Sequence, residues 1–317
     1  MLDSKVRILL TGVTGQVGGE LLPMLQPVGS VIAPGRSDLD LRDGESVRAF
    51  IRKVKPDWII NPAAYTAVDK AESEPALAYA INADAPRAIG EAAAELGIPV
   101  IHFSTDYVFD GSGTRPWVEE DLTGPLGVYG ASKLAGERAL AECGAAYLVL
   151  RTSWVYSSRG KNFLRTILHL AQEKPELRIV NDQHGAPTWS RDLAKLVIHV
   201  MENISERSAL SVGSVQDAVR PVQGVYHATD SGETTWFGFA REFLRLAASA
   251  RPEIKLAWLL PIESREYPTP ARRPSNSRLN CSRLQRVFGI TLPAWEESTA
   301  AVIAEVLSTE STTLGKS

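Results

Sequence analysis

Tyr129 and Lys133 stand four residues apart in the middle of the chain and carry a phenol and an ammonium that can act on one proton. On a helix they share a face, with Cβ atoms about 6 Å apart. A free tyrosine has a pKa of about 10, too high for ready proton exchange at neutral pH. A nearby ammonium favours the phenolate and lowers that value. Upstream, Ser104-Thr105-Asp106 closes an apolar run, and a hydroxyl there can bond a carbonyl oxygen and the phenol together. Nearer the start, Gly12-Val13-Thr14-Gly15-Gln16-Val17-Gly18 closes another apolar run. In this order the three signals describe a dinucleotide site, a hydroxyl that grips a carbonyl, and a Tyr–Lys pair that supplies a proton as general acid. That equipment suits hydride transfer at a carbon–oxygen bond. Y-x-x-x-K alone is common by chance, and the other two signals give it weight.

The glycines fall at a strand-to-helix turn. Gly12 suits the tight turn, Gly15 lets the backbone approach a pyrophosphate, and Gly18 allows close helix–strand packing, so that free N–H groups around Thr14–Val17 face the phosphates. The spacing is G-x-x-G-x-x-G, without the Gly-Lys-Ser/Thr of a P-loop. An acidic residue after the second strand would hold the ribose diol of NAD. Here the sequence is Ala33-Pro34-Gly35-Arg36-Ser37, and a guanidinium suits a 2′-phosphate better than a diol. NADPH is therefore the expected cofactor, with NADH also compatible. Asp40 and Leu41 are placed beside the adenine.

The positioning elements follow from hydrophobic periodicity. Strands are expected at Val6–Thr11, Val31–Ala33, Asp57–Asn61, Ile98–Phe103 and Ala146–Thr152. Helices are expected at Gln16–Leu25, Glu45–Val54, Pro75–Leu96 (with Gly97 and Pro99 just beyond) and Val128–Cys143. The alternation predicts an α/β fold, a Rossmann-type doubly wound parallel sheet with a smaller C-terminal substrate-binding lobe. The expected division is residues 1–152 mainly for the NAD(P)-binding unit and 153–307 mainly for the substrate lobe, with segments exchanged between them. Helices recur at Trp189–Met201, Trp236–Ala247 and Trp295–Leu307, Ser205–Gln223 reads as a polar surface excursion, and 308–317 reads as a disordered tail.

Composition narrows the class. The chain has 317 residues, 44% apolar and 22% charged, with 34 basic against 37 acidic residues. This range fits an ordinary globular protein, with no basic field for nucleic acid and no polybasic run for a membrane surface. The start, Met1-Leu2-Asp3-Ser4-Lys5, lacks a signal peptide's apolar stretch, and a cytoplasmic enzyme is expected. Cys143 and Cys281 show no zinc or disulfide spacing. The scattered His102, His169, His184, His199 and His227 read as packed or surface imidazoles, so no metal site is predicted. Trp154, after a strand, suits a sugar-ring platform, and Arg272-Arg273 suits a diphosphate.

These residues resemble the extended short-chain dehydrogenase/reductase family. The strings Ser104–Gly111, Val128–Glu137, Arg151–Tyr156 and Ala271–Ser277 narrow the resemblance, over Val6 to Leu307, to its dTDP-4-dehydrorhamnose reductase branch. The resemblance implies reduction of dTDP-4-dehydro-L-rhamnose, a dTDP-4-keto-6-deoxyhexose, to dTDP-L-rhamnose with hydride from NAD(P)H. It places Gly15, Gln16 and Val17 on the cofactor pyrophosphate, and Ala63, Ala64, Tyr65, Thr66 and Phe103 along the cofactor. Tyr129 and Lys133 would do the proton work with Thr105 tuning the tyrosine, and Thr105, Asp106, Tyr129 and Trp154 would hold the sugar nucleotide. Tyr65 stands where many relatives have His, and Pro62 replaces an Ala-like residue. The resemblance also implies a homodimer, and magnesium at the dimer contact in some members, which no spacing here supports. Two other readings use the same scaffold: a sugar-nucleotide epimerase or dehydratase with tightly held NAD, and a non-catalytic NADP-binding subunit resembling the regulatory beta subunit of methionine adenosyltransferase. The missing acid after the second strand counts against the first, and the presence of Thr105, Tyr129 and Lys133 against the second.

Overall fold

A computed structural model of the chain describes residues 6–211 and 213–314. Its centre is a six-stranded parallel sheet: β1 (Arg7–Leu10), β2 (Ser30–Ile32), β3 (Trp58–Asn61), β4 (Val100–Thr105), β5 (Tyr147–Thr152) and β6 (Gly224–His227). The order is β6–β5–β4–β3–β1–β2. β3 and β4 are buried along their whole length, as near-continuous apolar strands covered on both faces must be. The period of two sorts the side chains: Ile8, Leu10 and Ile60 enter the core under helices Gln16–Leu25 and Ser190–Ser211. Leu9, Ile59 and Val100 enter the opposite core under Gly44–Val54, Ala85–Leu96 and Val128–Glu142. β2 lies to one side of β1 and β3 to the other, so the strand order reverses at β1, and the crevice at the carboxyl ends there is the expected ligand site.

A third core, around Leu164, Leu168, Phe239, Phe243, Trp295 and Ile303, lies under Phe163–Glu173, Trp236–Ala250 and Trp295–Leu314. The expected division near 152 is crossed twice, because Ser190–Ser211 covers the sheet and β6 pairs with β5.

Three expectations change. The single helix expected over Pro75–Leu96 is interrupted by a π turn at Ala80–Asp84. Pro86 has no N–H for the carbonyl four residues back, and Gly136 packs so closely there that a Cβ would lie 2.0 Å from the Asn82 oxygen. The polar excursion is largely helical: Ser190–Ser211 runs into it, and a Ser214/Asp217 capping box opens Val215–Val219, whose Ala218 and Val219 are buried. In place of a disordered tail from 308, the last helix continues to Leu314; 315–317 lie outside the described residues.

Arg191 ties these layers together. Its Nε donates to the buried Glu20 carboxylate at 2.8 Å, its terminal nitrogens meet Glu305, and Arg159 reaches the other Glu20 oxygen at 2.7 Å. Among the described residues no helix is long and apolar enough to cross a membrane. Arg191→Leu leaves Glu20 with one cationic partner, and the expected outcome is a loss of about 2 kcal/mol in unfolding free energy, read by urea titration.

Candidate active site

The glycine turn is built for close approach. Gly12 has φ +62°, and a Cβ there would lie 2.8 Å from the Ala63 backbone, so this turn and the segment after β3 touch. A Cβ on Gly18 would lie 2.2 Å from the Gly12 oxygen. Gly15, the cap of helix Gln16–Leu25, offers no side chain to its first N–H groups, which leaves them free for an anion. These features fit a dinucleotide pyrophosphate. Gln16 instead donates from Nε2 to the Val155 carbonyl at 3.2 Å, joining the turn to the chain beyond β5. Arg36 is exposed, past the end of β2. Asp40 is clamped by Arg42 at 2.6 Å, and the hydrogen bonds from Arg42 hold its carboxyl down at about 2. Leu41 packs as a partly buried side chain at the edge of the core on that face. After β3, the Tyr65 N–H donates to the Asn82 amide oxygen, Asn82 donates back to the Tyr65 carbonyl and to Ser132, and the Tyr65 phenol turns away to Glu74. The π turn therefore links Ala63–Thr66 to the helix that carries Tyr129.

That helix, Val128–Glu142, presents positions 129, 133 and 137 to β4 and β5. Gly130 makes this possible: a Cβ there would lie 2.1 Å from the Tyr107 oxygen. The Tyr129 phenol lies near enough to the Thr105 hydroxyl to feel it, and its ring meets Tyr107 edge to face at 5.5 Å. Lys133 Nζ donates to the Phe103 carbonyl at 2.5 Å and lies 3.3 Å from His102 Nε2. Glu137 accepts two bonds from Arg151, at 2.9 and 2.7 Å, and one from Ser104. Position 137 stands within the quoted motif, but neither it nor Arg151 was expected to take part. The i, i+4, i+8 spacing and the absence of charge elsewhere in these strands are the signal that finds them.

The electrostatics differ from the sequence expectation. Burial pushes the Tyr129 phenol up to about 12, against the lowering effect of Thr105, and Asp106 adds to the rise. Burial pushes the Lys133 ammonium down to about 8, and Glu137 opposes it. The ammonium is turned to β4 rather than lowering the phenol. The phenol is therefore held protonated here, and its value lies further from neutrality than that of a free tyrosine.

Thr105 Oγ1 also meets Asp106 Oδ1 at 3.0 Å; burial raises the Asp106 carboxyl to about 6, against the Ser277 and Thr105 hydroxyls. Ser277 belongs to the loop Ala271–Ser277, which is pinned by Asn276 N to the Gly111 carbonyl and by Ser277 N to the His184 carbonyl. Within that loop Arg273 is engaged by both Asp69 oxygens at 2.8 Å, while Arg272 is exposed. Trp154, in the left-handed region at φ +48°, stacks on Trp236 with ring centroids 3.8 Å apart and lies over Gly185, where a Cβ would meet the indole at 2.7 Å. Trp236 was not anticipated, and its partnership makes Trp154 one half of a stacked indole pair. Among the described residues no group of three or more metal-ligating side chains gathers, and Glu20 and Glu305 are bridged by Arg191 instead.

A doubly wound sheet, a glycine turn at its switch point and a Tyr–Lys pair on the helix Val128–Glu142, half-buried at Tyr129 and buried at Lys133, define an NAD(P)-dependent reductase of the extended short-chain type. Comparison with known proteins narrows this. The family described as RmlD substrate binding domain matches residues 6–308. The chain is 46% identical to the Escherichia coli K12 protein named dTDP-4-dehydrorhamnose reductase, over 96% of this chain and 99% of that one. It superposes on a dTDP-4-dehydrorhamnose reductase of Clostridium acetobutylicum with TM-score 0.85 and 35% identity, covering 95% and 100% of the two chains. A Bacillus anthracis dTDP-4-dehydrorhamnose reductase in complex with NADP gives 0.83 and 32%, covering 95% and 99%. The chain belongs to the dTDP-4-dehydrorhamnose reductase family.

Removing one partner of a buried pair leaves an uncompensated charge. Glu137→Ala is expected to cost about 3 kcal/mol of stability. Combined with Arg151→Ala it should cost much less than the sum of the two single changes, a coupling read by a double-mutant cycle in urea.

Proposed function

We propose that this chain reduces dTDP-4-dehydro-L-rhamnose to dTDP-L-rhamnose. The observation that carries the reading is geometric: Tyr129 and the buried Lys133 leave one helix face a turn apart beside Thr105, at the carboxyl edge of β4. The names of relatives similar along nearly the whole chain support the substrate class. A bound reduced nicotinamide supplies hydride to the C4 carbonyl carbon. Thr105 orients the carbonyl oxygen toward Tyr129, and the phenol gives that oxygen its proton. Lys133, which bonds the Phe103 carbonyl, is the residue that would hold the nicotinamide ribose, as the family resemblance implies. Asp106, Trp154 and Arg272 are assigned to the sugar nucleotide; Arg273 supports the loop that presents Arg272. Gly12, Thr14, Gly15, Gln16, Val17 and Gly18 are assigned to the pyrophosphate, with Asp40 and Leu41 at the adenine.

NADPH is the preferred cofactor in this reading. Arg36, exposed at the end of β2 where NAD enzymes carry an acid, has the charge and fork for a 2′-phosphate, and NADP is bound in the Bacillus anthracis relative. Residence in the cytoplasm, which rests on the composition, and assembly as a homodimer, which rests on the family resemblance, complete the proposal.

Tyr129→Phe is expected to reduce NADPH oxidation with this substrate at least a hundredfold, the lower range for loss of a general acid, while NADPH binding persists. No oxidation by the folded, NADPH-binding wild type would refute the reading. Arg36→Ala should raise KM for NADPH about tenfold or more and leave KM for NADH unchanged, as expected for loss of a charge-assisted bond. Light scattering should give twice the 34.5 kDa of one chain.

A further inference from the structure

We propose that His102 is a positioning residue for Lys133, and that Thr11, Asn61 and His102 form one hydrogen-bonded chain coupling the charge on Lys133 to the root of the glycine turn. This inference rests on the reductase reading above. His102 is fully buried in the middle of β4, a position that an apolar side chain would fill at no electrostatic cost. Its two nitrogens are both engaged. Nδ1 lies 3.0 Å from Asn61 Nδ2 at the end of β3, and Nε2 lies 3.3 Å from Lys133 Nζ. Asn61 Oδ1 in turn accepts from the Thr11 hydroxyl at 2.6 Å. Thr11 immediately precedes Gly12, so the chain crosses β1, β3 and β4 beneath the cofactor crevice.

The chain can be read in two directions. As placed, Thr11 donates to Asn61, Asn61 donates to Nδ1, and Nε2 carries the ring proton toward Nζ, which suits an amine. With an ammonium, Lys133 donates to Nε2, Nδ1–H donates to the Asn61 oxygen, and the turned amide donates to Thr11. Neutral imidazole offers one donor and one acceptor, so the tautomer must follow the charge on Lys133. Burial and the Lys133 charge both hold His102 well below its ordinary value, which keeps it neutral. The other groups facing Lys133 are Tyr129 and Glu137 on its own helix, with Glu137 already committed to Arg151 from β5 and to Ser104 from β4. His102 is thus the side-chain acceptor available to the ammonium, beside the Phe103 carbonyl.

The test compares His102→Gln, which keeps a polar group toward Lys133, with His102→Asn, which keeps one only toward Asn61. kcat/KM for NADPH oxidation with the dTDP-4-keto sugar is followed from pH 6 to 10. The Lys133 ammonium, at about 8, predominates below that pH, so the rate falls as pH rises through it. Loss of a bond to a charged group moves such a limb by about one pH unit. The expected result is an alkaline limb about one unit lower in His102→Asn and near wild type in His102→Gln. Equal limbs in the two variants, whatever their thermal stabilities, would overturn the proposal and leave His102 a packing residue. If wild type oxidises no NADPH, the reductase reading fails instead, and the same displacement is sought in the pH dependence of NADPH binding, read by its fluorescence.

Discussion

One helix sends three polar side chains inward from a single face, Lys133 and Glu137 buried and Tyr129 half-buried, and most of the site follows from satisfying them. Tyr129, Lys133 and Glu137 leave Val128–Glu142 one turn apart and meet, in turn, Thr105, the Phe103 carbonyl with His102, and Arg151 with Ser104. Charges in such a place are tolerated only where each has its partners. β4 supplies a partner at each of the three levels, which explains why a strand buried along its whole length carries His102, Ser104 and Thr105 among apolar residues. The approach this requires is set by Gly130 against the Tyr107 carbonyl and Gly136 against the Asn82 carbonyl.

The same stripe divides the labour of the site. The Glu137–Arg151 pair, level with Ser104 in the sheet, is structural. Lys133 reaches further back along β4, to Phe103 and His102, its ammonium weakened by burial. Tyr129, at the carboxyl edge, keeps its proton because the surroundings disfavour the phenolate. The expectation that a nearby lysine lowers the phenol treated the pair as two charges in isolation. Desolvation, the larger effect here, acts on both groups and moves them in opposite directions toward neutrality.

Much of this was legible in the residues. The βα alternation, the helix Gln16–Leu25 and the start of Val128–Glu142 follow from periodicity and from Gly and Pro punctuation, which are local signals. β6 was not legible: four residues following a long excursion carry no period, and only pairing with β5 makes them a strand. The π turn depends on what Gly136 packs against, which is a tertiary matter. Tyr129, Lys133 and Thr105 could be found by spacing, but the partners His102, Asn61 and Arg151 are set by strand register. Arg272 and Arg273 look alike in sequence, and only the Asp69 carboxylate separates their surroundings.

The late arrival of β6 has a consequence for how the chain comes to be whole. During synthesis β5 emerges some seventy residues before the strand that completes its edge, and the helix Ser190–Ser211 that roofs one face of the sheet emerges between them. Until then the nascent sheet has an open rim beside β5, a template for unwanted pairing, and Ile8, Leu10 and Ile60 have only the helix Gln16–Leu25 over them. The intervening segment, residues 153–223, must therefore be threaded before the nucleotide-binding half is closed. A cut at residue 152 therefore parts β5 from the strand that completes its edge and the sheet from the helix that roofs it.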